Sequence, residues 1–207
     1  ARQMMFATTA RNVWQNAWWL DPVFFGHYPA DGLKMFAEDL PPIRSGDLQT
    51  IQQPLDFFGV NIYQGGPVRA GADGKPEGLP HPPGHALTAF KWAVTPEALY
   101  WGPRFFWERY HCPVIITENG MSGSDWGALD GKVHDPQRID FIARYLRSLR
   151  QRADEGVPVL GYFAWSILDN FEWCEGFKER FGLVHVDYVT QKRTLKDSAY
   201  WYQQVIA

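Results

Sequence analysis

Glu118 is the carboxylate best placed to do chemistry. It comes directly after the apolar run Val114-Ile115-Ile116-Thr117 and before Asn119-Gly120. An acid leaving a buried strand emerges at the mouth of the sheet, where it could act as a nucleophile towards an anomeric carbon or as a base. Position alone leaves a second reading open, an N-cap or loop carboxylate. The stretch Trp165-Ser166-Ile167-Leu168-Asp169-Asn170-Phe171-Glu172-Trp173 is the second candidate. Indole faces stack on the C–H faces of a pyranose, and carboxylates accept its hydroxyl hydrogens. Any one of these tryptophans, taken alone, reads more readily as core beside a polar loop. Tyr63, close after Asn61, could donate to a carboxylate such as Glu118 and steady its charge.

These residues need strands to carry them. Leu55–Tyr63, Pro113–Thr117 and Val157–Trp165 each read as a buried strand, and each ends in polar or ring residues (Asn61 and Tyr63, Glu118 and Asn119, Trp165 and Ser166). Helices are expected between and around them. Residues 1–20 carry Phe6, Val13, Trp14, Ala17 and Trp18 on one stripe, stopped by Asp21-Pro22. A short helix is expected at Leu33–Asp39, and residues 64–90, rich in Gly and Pro, read as a long surface loop. Thr95 as N-cap and Pro96 at N1 open a helix that Pro103 is expected to kink or divide. Asp135 as N-cap, Pro136 at N1 and Gly156 at C′ bound another, with Ile139, Ile142, Leu146 and Leu149 on its inner face. Arg138, Arg147, Arg150 and Arg152 read as its solvated faces. A hairpin over Gly182–Tyr188, turning near Thr190-Gln191, and a helix over Asp197–Val205 end the chain. Strands alternating with helices imply parallel pairing with right-handed crossovers, in the α/β class. In that class active sites form at the C-terminal strand ends.

Composition bounds the partners. The 207 residues carry 45 % apolar and 21 % charged types, enough for a core. Twenty Lys and Arg against 23 Asp and Glu give a formal charge of −3, so neither nucleic acid nor an anionic membrane has a basic footprint to bind. Aromatic residues reach 16 %, suited to core, interface or sugar stacking. Cys112 and Cys174 make neither a disulfide framework nor a metal ligand set, and read as reduced thiols of a cytoplasmic protein. The chain opens on ARQMMFATTARNVWQ without an initiator Met or a leader, and is expected to begin inside a larger product or at a processed or engineered end.

Taken together, ITENG at 116–120, WSILDNFEW at 165–173, EGFKERFGLVHVDY at 175–188 and DFFGVNIY at 56–63 resemble the C-terminal part of glycoside hydrolase family 1, the β-glucosidase-like retaining hydrolases. WLDPVFFGHYP at 19–29 and PEALYWGPRFFWERY at 96–110 resemble the same family between those motifs. The resemblance implies that residues 1–207 are the C-terminal part of one (β/α)8 TIM-barrel domain, strands six to eight with their helices. It implies Glu118 as the catalytic nucleophile, with Asn61 and Tyr63 positioning and buffering it. Trp165 becomes the sugar-stacking platform, Glu172 and Trp173 bind glycone hydroxyls, Phe181 lies beside that pocket, and Trp92 lies near the aglycone entrance. The pair Glu172-Trp173 resembles the branch acting on non-phosphorylated sugars. No cofactor or metal is implied.

The family's Asn-Glu-Pro motif, which carries the acid/base glutamate, does not occur in this sequence. Retaining hydrolysis needs two carboxyls about 5–5.5 Å apart, so the chain is expected to supply the nucleophile and part of the glycone pocket of a β-glycosidase acting on a β-glucoside or related sugar. A three-stranded parallel sheet also leaves two lateral edges open, whereas a closed barrel has none. The partner expected on that ground is the N-terminal barrel portion or a further copy of the chain. The alternative is a catalytically inert carbohydrate-binding or self-assembling barrel fragment.

Overall fold

Strand-forming and helix-forming segments alternate along the chain, and a computed structural model describes them for residues 13–72 and 76–207. In chain order they are a π-helical turn (Val13–Ala17), α1 (Trp18–Phe25), α2 (Ala30–Met35), α3 (Asp47–Ile51), β1 (Phe58–Asn61), β2 (Val68–Ala70), β3 (Pro76–Gly78), α4 (Ala98–Tyr110), β4 (Val114–Asn119), α5 (Pro136–Asp154), β5 (Val159–Ala164), a 3-10 turn (Trp173–Glu175), β6 (Val184–Val186), β7 (Arg193–Leu195) and α6 (Asp197–Ile206). They fall into two units, one reaching to Asp56 and including Gly66–His81, the other made of Phe57–Gly65 and Pro82–Ala207.

In the first unit α1 continues through Asp21-Pro22, contrary to the expected stop. Pro22 is buried inside this helix, which follows a π-helical turn over Val13–Ala17. The helix ends at Gly26, whose φ of +71° lets its N–H return to the Pro22 carbonyl at 3.1 Å. Trp18 packs on Tyr28 and Phe36 at ring separations of 4.5 and 5.0 Å. The beginning of the expected first helix, with Phe6, lies outside the described residues. The short helix is α2, ending before Asp39. The expected 64–90 loop contains the antiparallel hairpin β2–β3, tied by the exposed Arg69–Glu77 pair.

The second unit is built on a parallel sheet in the order β1-β4-β5. β4 is central because it is the most continuously apolar: Val114 and Ile116 are wholly buried, and each such side chain contributes roughly 1.5–3 kcal/mol. The flanking strands are not the buried strands expected. Phe57 is 47 % exposed beside β1, and Leu160 and Phe163 on β5 are 59 % and 61 % exposed. Among the described residues each flanking strand has one neighbour in the sheet. The helices α4 and α5 make the crossovers that parallel pairing requires.

α4 runs unbroken through Pro103, which is buried and does not divide it. Thr95 does not cap it: the Thr95 hydroxyl accepts the Gly65 N–H at 2.8 Å instead. α5 begins at Pro136 and is followed by Gly156 at φ +97°, as its sequence predicts. Asp135 makes no cap hydrogen bond; its carboxylate binds Arg138 Nε at 2.8 Å and the Ser198 N–H and hydroxyl at 2.8 and 2.6 Å.

The arginines of α5 correct the expectation most. Arg147 and Arg150 are exposed, but Arg138 and Arg152 lie buried on the same face as Phe141, Ile142, Tyr145 and Leu149. Buried guanidinium groups need partners. Arg138 has Asp125, Asp135 and the carbonyls of Met121, Phe181 and Arg180. Arg152 has Glu155 and the face of Tyr100. The β6–β7 hairpin and α6 complete the unit.

Candidate active site

The sheet brings its three C-terminal ends together. Val60 and Ile116 are level across β1 and β4, and an irregularity after Val60 puts Asn61 opposite Glu118. Such a slip redirects the side chains that follow it. Glu118 is thus within β4, half-buried, rather than in a cap or a loop. Across the other ladder Asn119 pairs with Ala164, one residue before Trp165.

The Tyr63 phenol donates to Glu118 Oε2 at 2.7 Å. Burial pushes that phenol well above its ordinary range, and the bond to Glu118 and the charges of Glu118 and Glu172 add to the rise. Tyr63 therefore stays a donor throughout the range in which carboxylates titrate. The Asn61 side chain takes another partner, accepting the Thr117 hydroxyl at 2.7 Å. It meets Glu118 through strand register, not through a side-chain hydrogen bond.

A second carboxyl belongs to the same electrostatic neighbourhood. Burial raises Glu172 above the usual carboxylate range; hydrogen bonding from the Trp165 side chain works against this, and the charges of Glu118 and Glu179 add to it. Trp165, Glu172, Glu118 and Tyr63 are thereby linked. Trp173 is 81 % exposed in the 3-10 turn. Phe181 is buried, and its ring lies 6.3 Å from Tyr63 and 6.0 Å from Trp92, while Trp92 lies 5.0 Å from Tyr63. An aromatic wall therefore flanks the carboxylates, the arrangement a sugar face and its hydroxyls require.

Asp169, read in the sequence among the ligand-facing acids, serves the scaffold instead. It is fully enclosed and binds Lys196 Nζ at 2.8 Å, Arg180 at 2.6 Å and the Gly182 N–H at 3.0 Å. Burial works to raise its carboxyl, but Lys196 and Arg180 outweigh that and hold it below the usual range.

Three positioning groups, Tyr162, Tyr145 and Gly120, were not singled out in the sequence, and Asn119 was marked there only as a strand end. Asn119 donates to the Ile62 carbonyl at 2.8 Å, accepts the Tyr162 hydroxyl at 2.8 Å, and its carbonyl accepts the Trp165 N–H at 2.8 Å, so it joins all three strands. Tyr162 is a lone hydroxyl in an apolar strand, a signal that was there to find. Tyr145 bonds the Tyr63 carbonyl from α5. Gly120 is required by close approach: a Cβ there would stand 1.9 Å from the Trp165 carbonyl oxygen. The Trp165–Ser166 peptide is cis.

Among the described residues no cluster of His, Cys, Asp and Glu could hold a metal, and no helix is long and apolar enough to cross a membrane. Among the described residues neither cysteine forms a disulfide; Cys112 is buried and Cys174 exposed. A cavity lined by Tyr28, Pro42, Asp47 and Ile51 belongs to the first unit and contains none of the candidate residues.

Comparison with known proteins places the chain. The family model described as Glycosyl hydrolase family 1 matches residues 1–207. Beta-glucosidase A of Thermotoga maritima is 43 % identical over 188 residues, covering 90 % of this chain and 42 % of its own length. A Beta-glucosidase of an Agrobacterium species is 42 % identical over 195 residues, covering 90 % of this chain and 42 % of its own. The solved Family 1 b-glucosidase from Thermotoga maritima superimposes with a TM-score of 0.88 at 39 % identity, covering all of this chain and 47 % of that one. The same enzyme in complex with castanospermine gives 0.87. The chain thus spans less than half the length of these relatives. Its three parallel strands are part of a TIM barrel, with no closed barrel in this portion.

Proposed function

The chain belongs to glycosyl hydrolase family 1, and from that premise we propose that it is the C-terminal part of a retaining β-glycosidase, a β-glucosidase by its relatives. In this reading it supplies the nucleophile and part of the glycone pocket. The observation that carries it is the 2.7 Å bond from Tyr63 to Glu118 at neighbouring strand ends. A donor at that distance stabilises the carboxylate in the charged, nucleophilic form and aims its other oxygen at the substrate.

Glu118 attacks the anomeric carbon as the bond to the leaving oxygen breaks, and the leaving oxygen takes a proton from a carboxylic acid on the barrel portion outside this sequence. Water deprotonated by that same group then displaces Glu118, and two inversions give net retention. Trp165 stacks on the glycone, Glu172 and Trp173 bind its hydroxyls, Phe181 and Trp92 wall the pocket, and Asn61 supports Glu118 through its strand. The exposed edges of β1 and β5 support completion by the N-terminal barrel portion. No organic cofactor or metal enters these steps.

A 2-deoxy-2-fluoro-β-glucoside with a good leaving group tests the assignment. Incubated with the chain and the barrel portion that completes it, it is expected to add one fluoroglucosyl group to the peptide containing Glu118. A label on any other residue, or none while turnover is intact, overturns it.

A further inference from the structure

The turn that follows β1 is held from outside at every residue. The Ile62 N–H donates to the Glu118 carbonyl at 3.1 Å, and the Ile62 carbonyl accepts Asn119 Nδ2 at 2.8 Å. The Tyr63 carbonyl accepts the Tyr145 hydroxyl at 3.1 Å. Gln64 Oε1 accepts the Ala93 N–H at 2.9 Å, and the Gly65 N–H donates to Thr95 Oγ1 at 2.8 Å. Thr95 is itself fixed, because its N–H donates to the Tyr145 hydroxyl oxygen at 2.8 Å. One phenol oxygen thus joins the backbone of Tyr63 to the residue that clamps Gly65.

Tyr145 is suited to act as a fixed point. It has no exposed surface, and its ring stacks on Phe141 at 4.0 Å between centroids. It also lies on α5, the longest described helix, so its hydroxyl is positioned by an element that does not bend with the turn.

We infer that Tyr145 is a positioning residue for the reaction: through the Tyr63 carbonyl and the Thr95 amide it holds the Tyr63 phenol at hydrogen-bonding distance from Glu118. The inference rests on Glu118 being the nucleophile. A charge-assisted hydrogen bond weakens steeply with distance and angle. Freeing the Tyr63 backbone therefore weakens the bond at the other end of the same side chain. The titratable groups around this contact are Tyr63 itself from the turn and Glu172 from the loop after β5, with Tyr162 on β5 and Glu179 one step behind.

The test is Tyr145→Phe in the chain completed by its barrel partner, read by the pH dependence of kcat/KM. A carboxylate that loses a donor holds its proton to higher pH. The acid limb is expected to move up by about half a pH unit, with kcat/KM down about tenfold. Tyr63→Phe is expected to move the limb the same way, and the double variant no further than Tyr63→Phe alone. Leu149→Ala, a buried change on the same helix, is expected to lower thermal stability and leave the limb in place. Thr95→Val removes the acceptor for Gly65 without touching the phenol, and is expected to move the limb in the same direction if Tyr145→Phe fails to fold.

An acid limb that stays in place in both Tyr145→Phe and Thr95→Val, or a double variant that shifts by the sum of the singles, overturns the inference. Glu118→Gln separates the two readings. Full turnover by that variant removes the nucleophile assignment, whereas loss of turnover with an unmoved limb in Tyr145→Phe removes only the role of Tyr145.

Discussion

Lys196 Nζ meets Asp169 Oδ1 at 2.8 Å with both side chains wholly excluded from solvent. The same ammonium binds Asp125, and Asp125 binds Arg138. The cluster joins the loop after β4, the first turn of α5, the loop after β5 and the entry to α6. Arg138 also binds the Phe181 carbonyl, which accepts the Ser166 N–H at 3.2 Å. The charges therefore hold in place the backbone that presents Trp165 and Phe181.

Removing one member leaves the others charged and buried. Lys196→Met is expected to cost on the order of 3–5 kcal/mol, read as a lower denaturant midpoint with an unchanged slope. A midpoint within experimental error of the parent contradicts the assignment of the cluster as a scaffold.

Asp169 also sets an acid limit. Its folded carboxyl lies below the usual range, held there by Lys196 and Arg180 against burial, so its contribution is complete above the unfolded carboxylate value of about 3.9 and is lost as pH falls through the folded value. The melting temperature of the parent is expected to fall steeply in that window. Asp169→Asn, less stable at neutral pH, is expected to give a flatter curve there; equal slopes would remove this linkage.

Glu172 titrates in the other direction. Burial raises its carboxyl, so it takes up a proton at higher pH than an ordinary glutamate. In its proposed role as acceptor of glycone hydroxyls it is expected to lose affinity as pH falls through that raised value. KM for a β-glucoside then rises on acidification in the complete enzyme, while Glu172→Gln has a KM raised about tenfold or more at neutral pH and nearly flat in pH. A pH-dependent KM in the glutamine variant contradicts the role.

Gly120 has no room for a methyl group. Its Cβ would lie 1.9 Å from the Trp165 carbonyl oxygen, a backbone atom that cannot rotate away. Gly120→Ala is expected to destabilise by at least about 3 kcal/mol and to lose soluble expression before Gly127→Ala does, since Gly127 has open space around it and no positive φ. Equal tolerance of both changes counts against the close approach.

Among the described residues β1 and β5 each pair with one strand, β4. Sedimentation is expected to show concentration-dependent association, with no turnover of nitrophenyl β-glucoside. Adding the completing portion is expected to restore turnover. A stable monomer that hydrolyses the substrate on its own would reject the part-barrel reading.

What the sequence made legible is what depends on neighbours along the chain. Pro136 and Gly156 bound α5 because one needs no donor and the other tolerates a positive φ. The apolar run of β4 puts Glu118 at a strand end without reference to any other segment. Long-range partners were not legible. Arg138 reads as solvated because Asp125 and the Phe181 carbonyl reach it only after folding. Thr95 reads as a cap because nothing nearby announces Gly65 as its partner. Tyr145 bonds to a group 82 residues away, so no local pattern distinguishes it from a core aromatic; only the lone hydroxyl of Tyr162 in an apolar strand hints at its partner 43 residues away.

The contact of Gly120 with the Trp165 carbonyl makes two strand ends a single mechanical part. Glu118 is two residues from that contact on one strand and the indole of Trp165 is at it on the other. The Glu118 carboxylate and the Trp165 indole are therefore carried by backbone segments in close contact. In the proposed function, a glycone of different shape would be accommodated by the loops carrying Trp92, Glu172 and Trp173.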